Sequence, residues 1–121
     1  MSYLQRGKNR IFFEHISSGD QHITLVNGFM RTGRDFRLMA KRLSADKFSV
    51  LTLDNRGCGK TVSSSSFTLG DMVSDIVAVW DELGIETSHL LGISMGGYLA
   101  MELARTYPQR LGRLLLVSTS P

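Results

Sequence analysis

The chain has little of what builds disulfide-rich, membrane-spanning or metal-dependent proteins. Its single cysteine, Cys58, excludes an internal disulfide and favours a reducing, cytoplasmic location. No apolar run approaches the roughly 20 residues that span a bilayer, and no apolar stretch follows the polar N-terminus as in a signal peptide. No histidine, aspartate and glutamate cluster has the spacing of metal ligands. We therefore expect no membrane association, no metal and no cofactor.

The chain also has little net charge. The net charge is only +3, and the basic residues are scattered along the chain. The densest basic cluster falls at helical spacing and comprises Arg31, Arg34, Arg37, Lys41 and Arg42. This spacing is typical of the solvated face of a helix, so we expect no nucleic-acid partner.

Short β-like runs alternate along the chain with segments of helical periodicity. This alternation predicts a mainly parallel sheet with helices on both faces, a three-layer α/β sandwich that opens with an antiparallel hairpin. The strands are expected at residues 3–6, 10–16, 22–26, 48–53, 89–93 and 111–118, and the helices at residues 35–43, 69–83 and 95–107. With 121 residues and no linker, residues 1–121 have room for one domain and one core, not two.

The middle helix carries its own start and stop signals. Thr68 is placed as its N-cap, with Asp71 three residues later in a variant of the capping box. Gly84 follows the last apolar position, where glycine commonly ends a helix.

The strongest functional signal is Gly-Ile-Ser-Met-Gly-Gly at residues 92–97. It lies between an apolar strand and a helix, the context in which G-x-S-x-G forms a nucleophile elbow. Such a turn holds its serine in a strained conformation at the carboxyl edge of the sheet, beside the positive end of a helix. Ser94 is therefore the candidate nucleophile. The alternative is an ordinary helix start in which Ser94 only caps the helix.

An acyl-transfer serine also needs two backbone donors for the oxyanion of its tetrahedral intermediate. The residue after the nucleophile, Met95, provides one N–H group. The loop after the third strand is expected to provide the other, and the N–H of Phe29 is the candidate. The alternative is a plain strand-to-helix turn in which Phe29 anchors the core.

Four segments recur in the order and spacing of one enzyme superfamily. They are Val-Asn-Gly-Phe at residues 26–29, Leu-Asp-Asn-Arg-Gly-Cys-Gly at residues 53–59, Leu-Gly-Ile-Ser-Met-Gly-Gly at residues 91–97 and Leu-Leu-Val-Ser-Thr at residues 115–119. They resemble the N-terminal half of α/β-hydrolases of the enol-lactonase, cofactor-free haloperoxidase and small-ester hydrolase group. The resemblance implies Ser94 as nucleophile, the Phe29 and Met95 N–H groups as oxyanion hole, and a structural role for the turn at residues 54–59.

The chain departs from this family in two places. The family usually has histidine where Asn27 stands, although the amide of Asn27 is still able to tie the loop to itself. The family's triad acid and histidine lie beyond the sixth strand, and the chain has no residues there. We therefore expect a complementary C-terminal segment of the same enzyme to supply both groups, and the chain alone to be inactive.

None of the chain's own histidines is expected to act as the base. His89 begins the strand that ends before Ser94 and so lies at the opposite edge of the sheet, and His15 and His22 lie on or beside the first strands. Asp54 is at the correct edge, but we expect it to organise its turn together with Arg56.

One motif points to a different chemistry. Gly-Cys-Gly-Lys-Thr at residues 57–61 is similar to the end of a phosphate-binding P-loop, but Asp54 stands where the first glycine should be. A P-loop also leads straight into a helix, whereas Val62 and four serines follow here. We expect no nucleotide binding.

These patterns together predict a serine hydrolase that acts on a small-molecule substrate with an ester, lactone or related acyl bond. The competing hypothesis is a non-catalytic binding or interaction module on a hydrolase-like half-fold.

Overall fold

The computed structural model describes residues 2–119, which form six strands and three helices. The strands are β1 (Ser2–Arg6), β2 (Asn9–Ile16), β3 (Gln21–Val26), β4 (Phe48–Leu53), β5 (Ser88–Ile93) and β6 (Leu111–Val117). The helices are α1 (Arg37–Ala45), α2 (Leu69–Leu83) and α3 (Met95–Thr106), with short 3-10 turns at Gly33–Phe36 and Pro108–Arg110. Every predicted element is present, with bounds shifted by a few residues.

All six strands form one sheet in the order β1-β2-β4-β3-β5-β6. Strands β4, β3, β5 and β6 are mutually parallel, and β2 is antiparallel to both β1 and β4. The prediction of a mostly parallel sheet with an antiparallel hairpin is confirmed, although β1 points the same way as the parallel strands. The carboxyl ends of β3, β4, β5 and β6 therefore meet at one edge, called here the carboxyl edge.

Helices cover both faces of the sheet, which confirms the three-layer sandwich. Alternate strand residues point to opposite faces. Leu51 and Leu53 of β4 join the core cluster beneath α2 and α3, which includes the fully buried Trp80. Val50, which directly precedes Leu51 in β4, packs with Phe36 and Ala40 around α1 on the other face.

Helix α2 begins and ends at the predicted residues. The N–H of Thr68 donates to Asp71 Oδ2 at 2.8 Å, and the N–H of Asp71 donates to Thr68 Oγ1 at 3.1 Å. Gly84 ends the helix in the left-handed region, at φ +70°. Trp80 Nε1 donates to Thr24 Oγ1 at 2.9 Å, which anchors the buried face of α2 to β3.

The β6 side of the sheet is open to solvent. Within residues 2–119, β6 pairs with β5 alone. Leu115, Leu116 and Val117 of this strand are exposed on its two faces. An apolar strand with an unpaired edge is a surface on which another strand can add.

The rings of His15 and His22 stack near the amino ends of the parallel strands, with centroids 6.4 Å apart. Burial of the His15 ring, and secondarily the neighbouring His22, lower the pKa of His15 below its ordinary value of 6.5. The folded state disfavours the charged form of His15. The free energy of unfolding is therefore highest above about pH 6.5, where His15 is neutral in both states, and it decreases as the pH falls below that value. We expect the urea midpoint of unfolding to decrease from pH 7 to pH 5, and to decrease less in His15→Gln. An equally steep acid decrease in that variant would show that His15 is not responsible.

Candidate active site

Ser94 lies between β5 and α3 in the strained conformation that the sequence predicts. Its φ is +56° and its ψ is −117°, a combination that residues with a side chain rarely adopt. The N–H of Ser94 donates to the carbonyl oxygen of Val117 at 2.9 Å, and its own carbonyl oxygen accepts from Gly97 N–H at 2.9 Å. The side chain is exposed and makes no capping hydrogen bond to α3. The predicted tight turn is confirmed, and the helix-capping alternative lacks its defining bond.

Glycines surround this turn because the backbone segments approach one another too closely for a side chain. A Cβ on Gly92 would overlap the carbonyl oxygen of Gly96, and a Cβ on Gly96 would overlap the carbonyl oxygen of Val26 at the end of β3. A Cβ on Gly97 would lie 2.5 Å from the side chain of Thr119. Gly96 and Gly97 therefore pack closely against the ends of β3 and β6.

The loop after β3 lies directly against Ser94. A Cβ on Gly28 would be 3.2 Å from Ser94 Cβ and 3.7 Å from Ser94 Oγ. Asn27 fixes this loop: its Nδ2 donates to the carbonyl oxygen of Thr32 at 3.0 Å and to Asp35 Oδ2 at 2.9 Å. Its Oδ1 accepts from Gly28 N–H at 2.8 Å. Asn27 therefore ties the loop to itself, as expected from its amide.

The two candidate oxyanion donors border this contact. Neither the Phe29 N–H nor the Met95 N–H donates a hydrogen bond to another group of residues 2–119. The side chain of Phe29 is 71% exposed and that of its neighbour Met30 is 68% exposed. The alternative in which Phe29 anchors the core is therefore wrong.

Asp54 organises the turn after β4 without the expected help from Arg56. Its Oδ1 accepts from Gly33 N–H and its Oδ2 from Lys60 N–H, both at 2.9 Å. Arg56 instead donates to both carboxylate oxygens of Asp75 on α2, at 2.8 and 3.0 Å. The pairing differs from the prediction because buried Asp75 requires a cation, whereas backbone N–H groups already satisfy Asp54.

The same carboxylate fills the loop that is similar to a P-loop. A Cβ on Gly59 would overlap Asp54 Oδ2. The N–H of Lys60, which would face a phosphate in a P-loop, points instead to this oxygen. A phosphate group would meet a buried negative charge here, so the absence of nucleotide binding stays our prediction.

The three histidines of the chain lie away from Ser94. His89 precedes Ser94 by five residues of extended strand, roughly 16 Å. Its ring is also engaged: Nε2 hydrogen-bonds with Gln21 Oε1, and Nδ1 accepts from Arg113 N–H. His15 pairs with Leu51 and His22 with Ser49, toward the amino ends of the parallel strands.

Sequence reasoning missed a group of hydroxyl-bearing residues beside Ser94. A cavity of about 360 Å³ is lined by Ser94, Tyr98, Ser118 and Thr119. Two features of the sequence point to this group: Tyr98 follows Ser94 by four residues, and Ser118 and Thr119 stand at the end of the sixth predicted strand.

Residues 2–119 contain no group of three or more side chains able to hold a metal ion. The helices in this same range are too short or too polar to cross a membrane.

Comparison with known sequences places this geometry in a family. The sequence model described as alpha/beta hydrolase fold matches residues 21–121. A protein of Caulobacter segnis named "Putative carbamate hydrolase RutD" is 30% identical over 109 residues, which cover 77% of this chain and 41% of that protein. The chain thus spans about two fifths of the length of this curated relative.

Solved structures of hydrolases have the same fold as this chain. A thermophilic esterase from Thermogutta terrifontis is 28% identical and superimposes with a TM-score of 0.89, over 99% of this chain and 46% of the esterase. The enol-lactonase from Burkholderia xenovorans also has a TM-score of 0.89, over 98% of this chain and 47% of its own. At 24% identity, the second match is evidence for the fold alone.

Proposed function

Because the chain belongs to the α/β-hydrolase family, we propose that it supplies the nucleophile half of a serine hydrolase that cleaves an ester, lactone or related acyl bond. The observation that carries this proposal is the conformation of Ser94. It is exposed, strained at φ +56° and in contact with the loop that contains Phe29. A serine that only connected a strand to a helix would need neither the strain nor the contact.

In the proposed reaction, Ser94 Oγ attacks the substrate's carbonyl carbon and transfers its proton to a histidine. The N–H groups of Phe29 and Met95 stabilise the negative charge that develops on the carbonyl oxygen. The bond to the leaving alcohol then breaks, and the histidine returns the proton to that alcohol. Water hydrolyses the acyl ester on Ser94 by the same steps and releases the carboxylic acid.

The base for this reaction must come from outside residues 1–121, because none of the three histidines is near Ser94. We propose that a complementary segment of the same enzyme supplies the histidine and its acidic partner, as the resemblance implies. Two observations support an additional segment: the relatives are more than twice as long as this chain, and β6 offers an unpaired apolar edge. We call the protein formed by this chain and that segment the completed enzyme.

The test compares the completed enzyme with residues 1–121 alone. We expect the completed enzyme to hydrolyse p-nitrophenyl butyrate, and residues 1–121 alone to show no turnover above background because no general base reaches Ser94. Gel filtration of residues 1–121 should show oligomers or poor solubility, because Leu115, Leu116 and Val117 stay exposed.

A soluble 13.4 kDa monomer that hydrolyses the ester, with the activity lost in Ser94→Ala, would refute the need for a second segment. A completed enzyme that turns over no acyl substrate would instead favour the non-catalytic module.

A further inference from the structure

All four residues that line the cavity beside Ser94 carry a hydroxyl group. Tyr98 lies in the first turn of α3, which begins directly after Ser94, and both side chains line this cavity. Ser118 directly follows β6, and the parallel pairing of Ile93 with Val117 places it next to Ser94. The Oγ1 of Thr119 is buried and has no hydrogen-bond partner within residues 2–119.

Ser118 shares the backbone strain of Ser94. Its φ is +51°, so two neighbouring strands both end in a serine in the left-handed region. A residue with a side chain adopts this conformation at a cost on the order of 1 kcal/mol, and such strain concentrates at functional sites. Thr119 packs against Gly97, which fixes the turn that contains Ser118.

The two sides of Ser94 differ in chemistry. On the β3 side lie the candidate oxyanion donors and the exposed side chains of Phe29 and Met30. On the β6 side lie the exposed Tyr98 and Ser118. With the carbonyl oxygen of the substrate directed to the β3 side, another substituent of the scissile carbon faces the β6 hydroxyls.

From this arrangement we infer that Ser118 and Tyr98 form a polar subsite for a hydroxyl or carbonyl oxygen of the substrate, three to four bonds from the scissile carbonyl carbon. The inference rests on the proposed function of Ser94 and narrows its substrates to oxygen-substituted esters or lactones. The oxygen belongs either to the acyl group or to the alcohol. Ser118 is then a specificity-determining residue that hydrogen-bonds the substrate but takes no part in proton transfer.

The test uses matched ester pairs with the completed enzyme. For the acyl side, p-nitrophenyl 3-hydroxybutyrate is compared with p-nitrophenyl butyrate; for the alcohol side, 2-hydroxyethyl butyrate is compared with propyl butyrate. In one of the two pairs, Ser118→Ala should lower kcat/KM for the oxygenated ester about tenfold. The kcat/KM for the plain ester of that pair should change by less than about twofold. The affected pair identifies the side. Ser118→Gly, which adopts positive φ without strain, should give the same result.

Ser17→Ala makes the same chemical change at the opposite edge of the sheet and should change kcat/KM for none of these esters. An equal loss for both esters of each pair, or no loss at all, in Ser118→Ala and Ser118→Gly would overturn the inference and leave the proposed function standing. No turnover of any ester by the parent enzyme would contradict the proposed function, and the subsite with it.

Discussion

Ser94→Ala should lower kcat/KM of the completed enzyme for p-nitrophenyl butyrate by about 10⁴- to 10⁶-fold. Removal of the nucleophile leaves only the oxyanion donors and substrate binding, and losses of this size are typical of serine hydrolases. Steady-state turnover measures the effect. Because alanine at φ +56° is strained to the same degree as serine, the free energy of unfolding should change by less than about 1 kcal/mol.

Ser17→Ala is the control for this substitution, since it removes an exposed hydroxyl far from the carboxyl edge. We expect it to retain full activity. A Ser94→Ala enzyme that keeps more than about a hundredth of the parent kcat/KM would mean that another group attacks the substrate.

Gly96→Ala should lower the free energy of unfolding by about 3 kcal/mol or more. The added methyl group would overlap the carbonyl oxygen of Val26, and neither backbone segment is able to move aside cheaply, because β3 pairs with strands on both sides. Any relaxation would displace Ser94 and the Phe29 loop, so ester hydrolysis should fall as well. Urea unfolding and steady-state turnover measure the two effects.

Gly70→Ala is a closely matched control. Gly70 is the second residue of α2, as Gly96 is of α3. The nearest atom to a Cβ on Gly70 is Thr68 Oγ1 at 3.6 Å, an ordinary contact. Because alanine is the better helix former, this variant should be unchanged or more stable by up to about 1 kcal/mol. Similar stability changes in the two variants would disprove the close packing at Gly96.

Local signals explain why much of the fold was predictable from the sequence. The capping pair of Thr68 and Asp71, the terminating Gly84 and the glycines around Ser94 each act within a few residues of their own position. Their physical requirements are therefore visible in the order of residues alone. At the elbow, for example, the spacing of the glycines indicates that the strand and the helix approach each other closely.

Other features depend on partners that are distant in the sequence. The ion pair of Arg56 with Asp75 forms because α2 returns to the turn after β4, and nearby Asp54 was the more obvious partner. The exposure of Phe29 contradicts the ordinary burial of phenylalanine, and no local sequence pattern marks it. The strain at Ser118 has no glycine to mark it. Each of these features is set by the tertiary arrangement of segments that are distant in the sequence.

The central claim is that Ser94 is a nucleophile activated within the completed enzyme. Intact-mass spectrometry after incubation with a serine-directed fluorophosphonate, followed by peptide mapping, tests it most directly. We predict a single adduct on Ser94 that forms within minutes and is absent from Ser94→Ala. An enzyme that stays unmodified, or an adduct that persists in Ser94→Ala, would contradict the account.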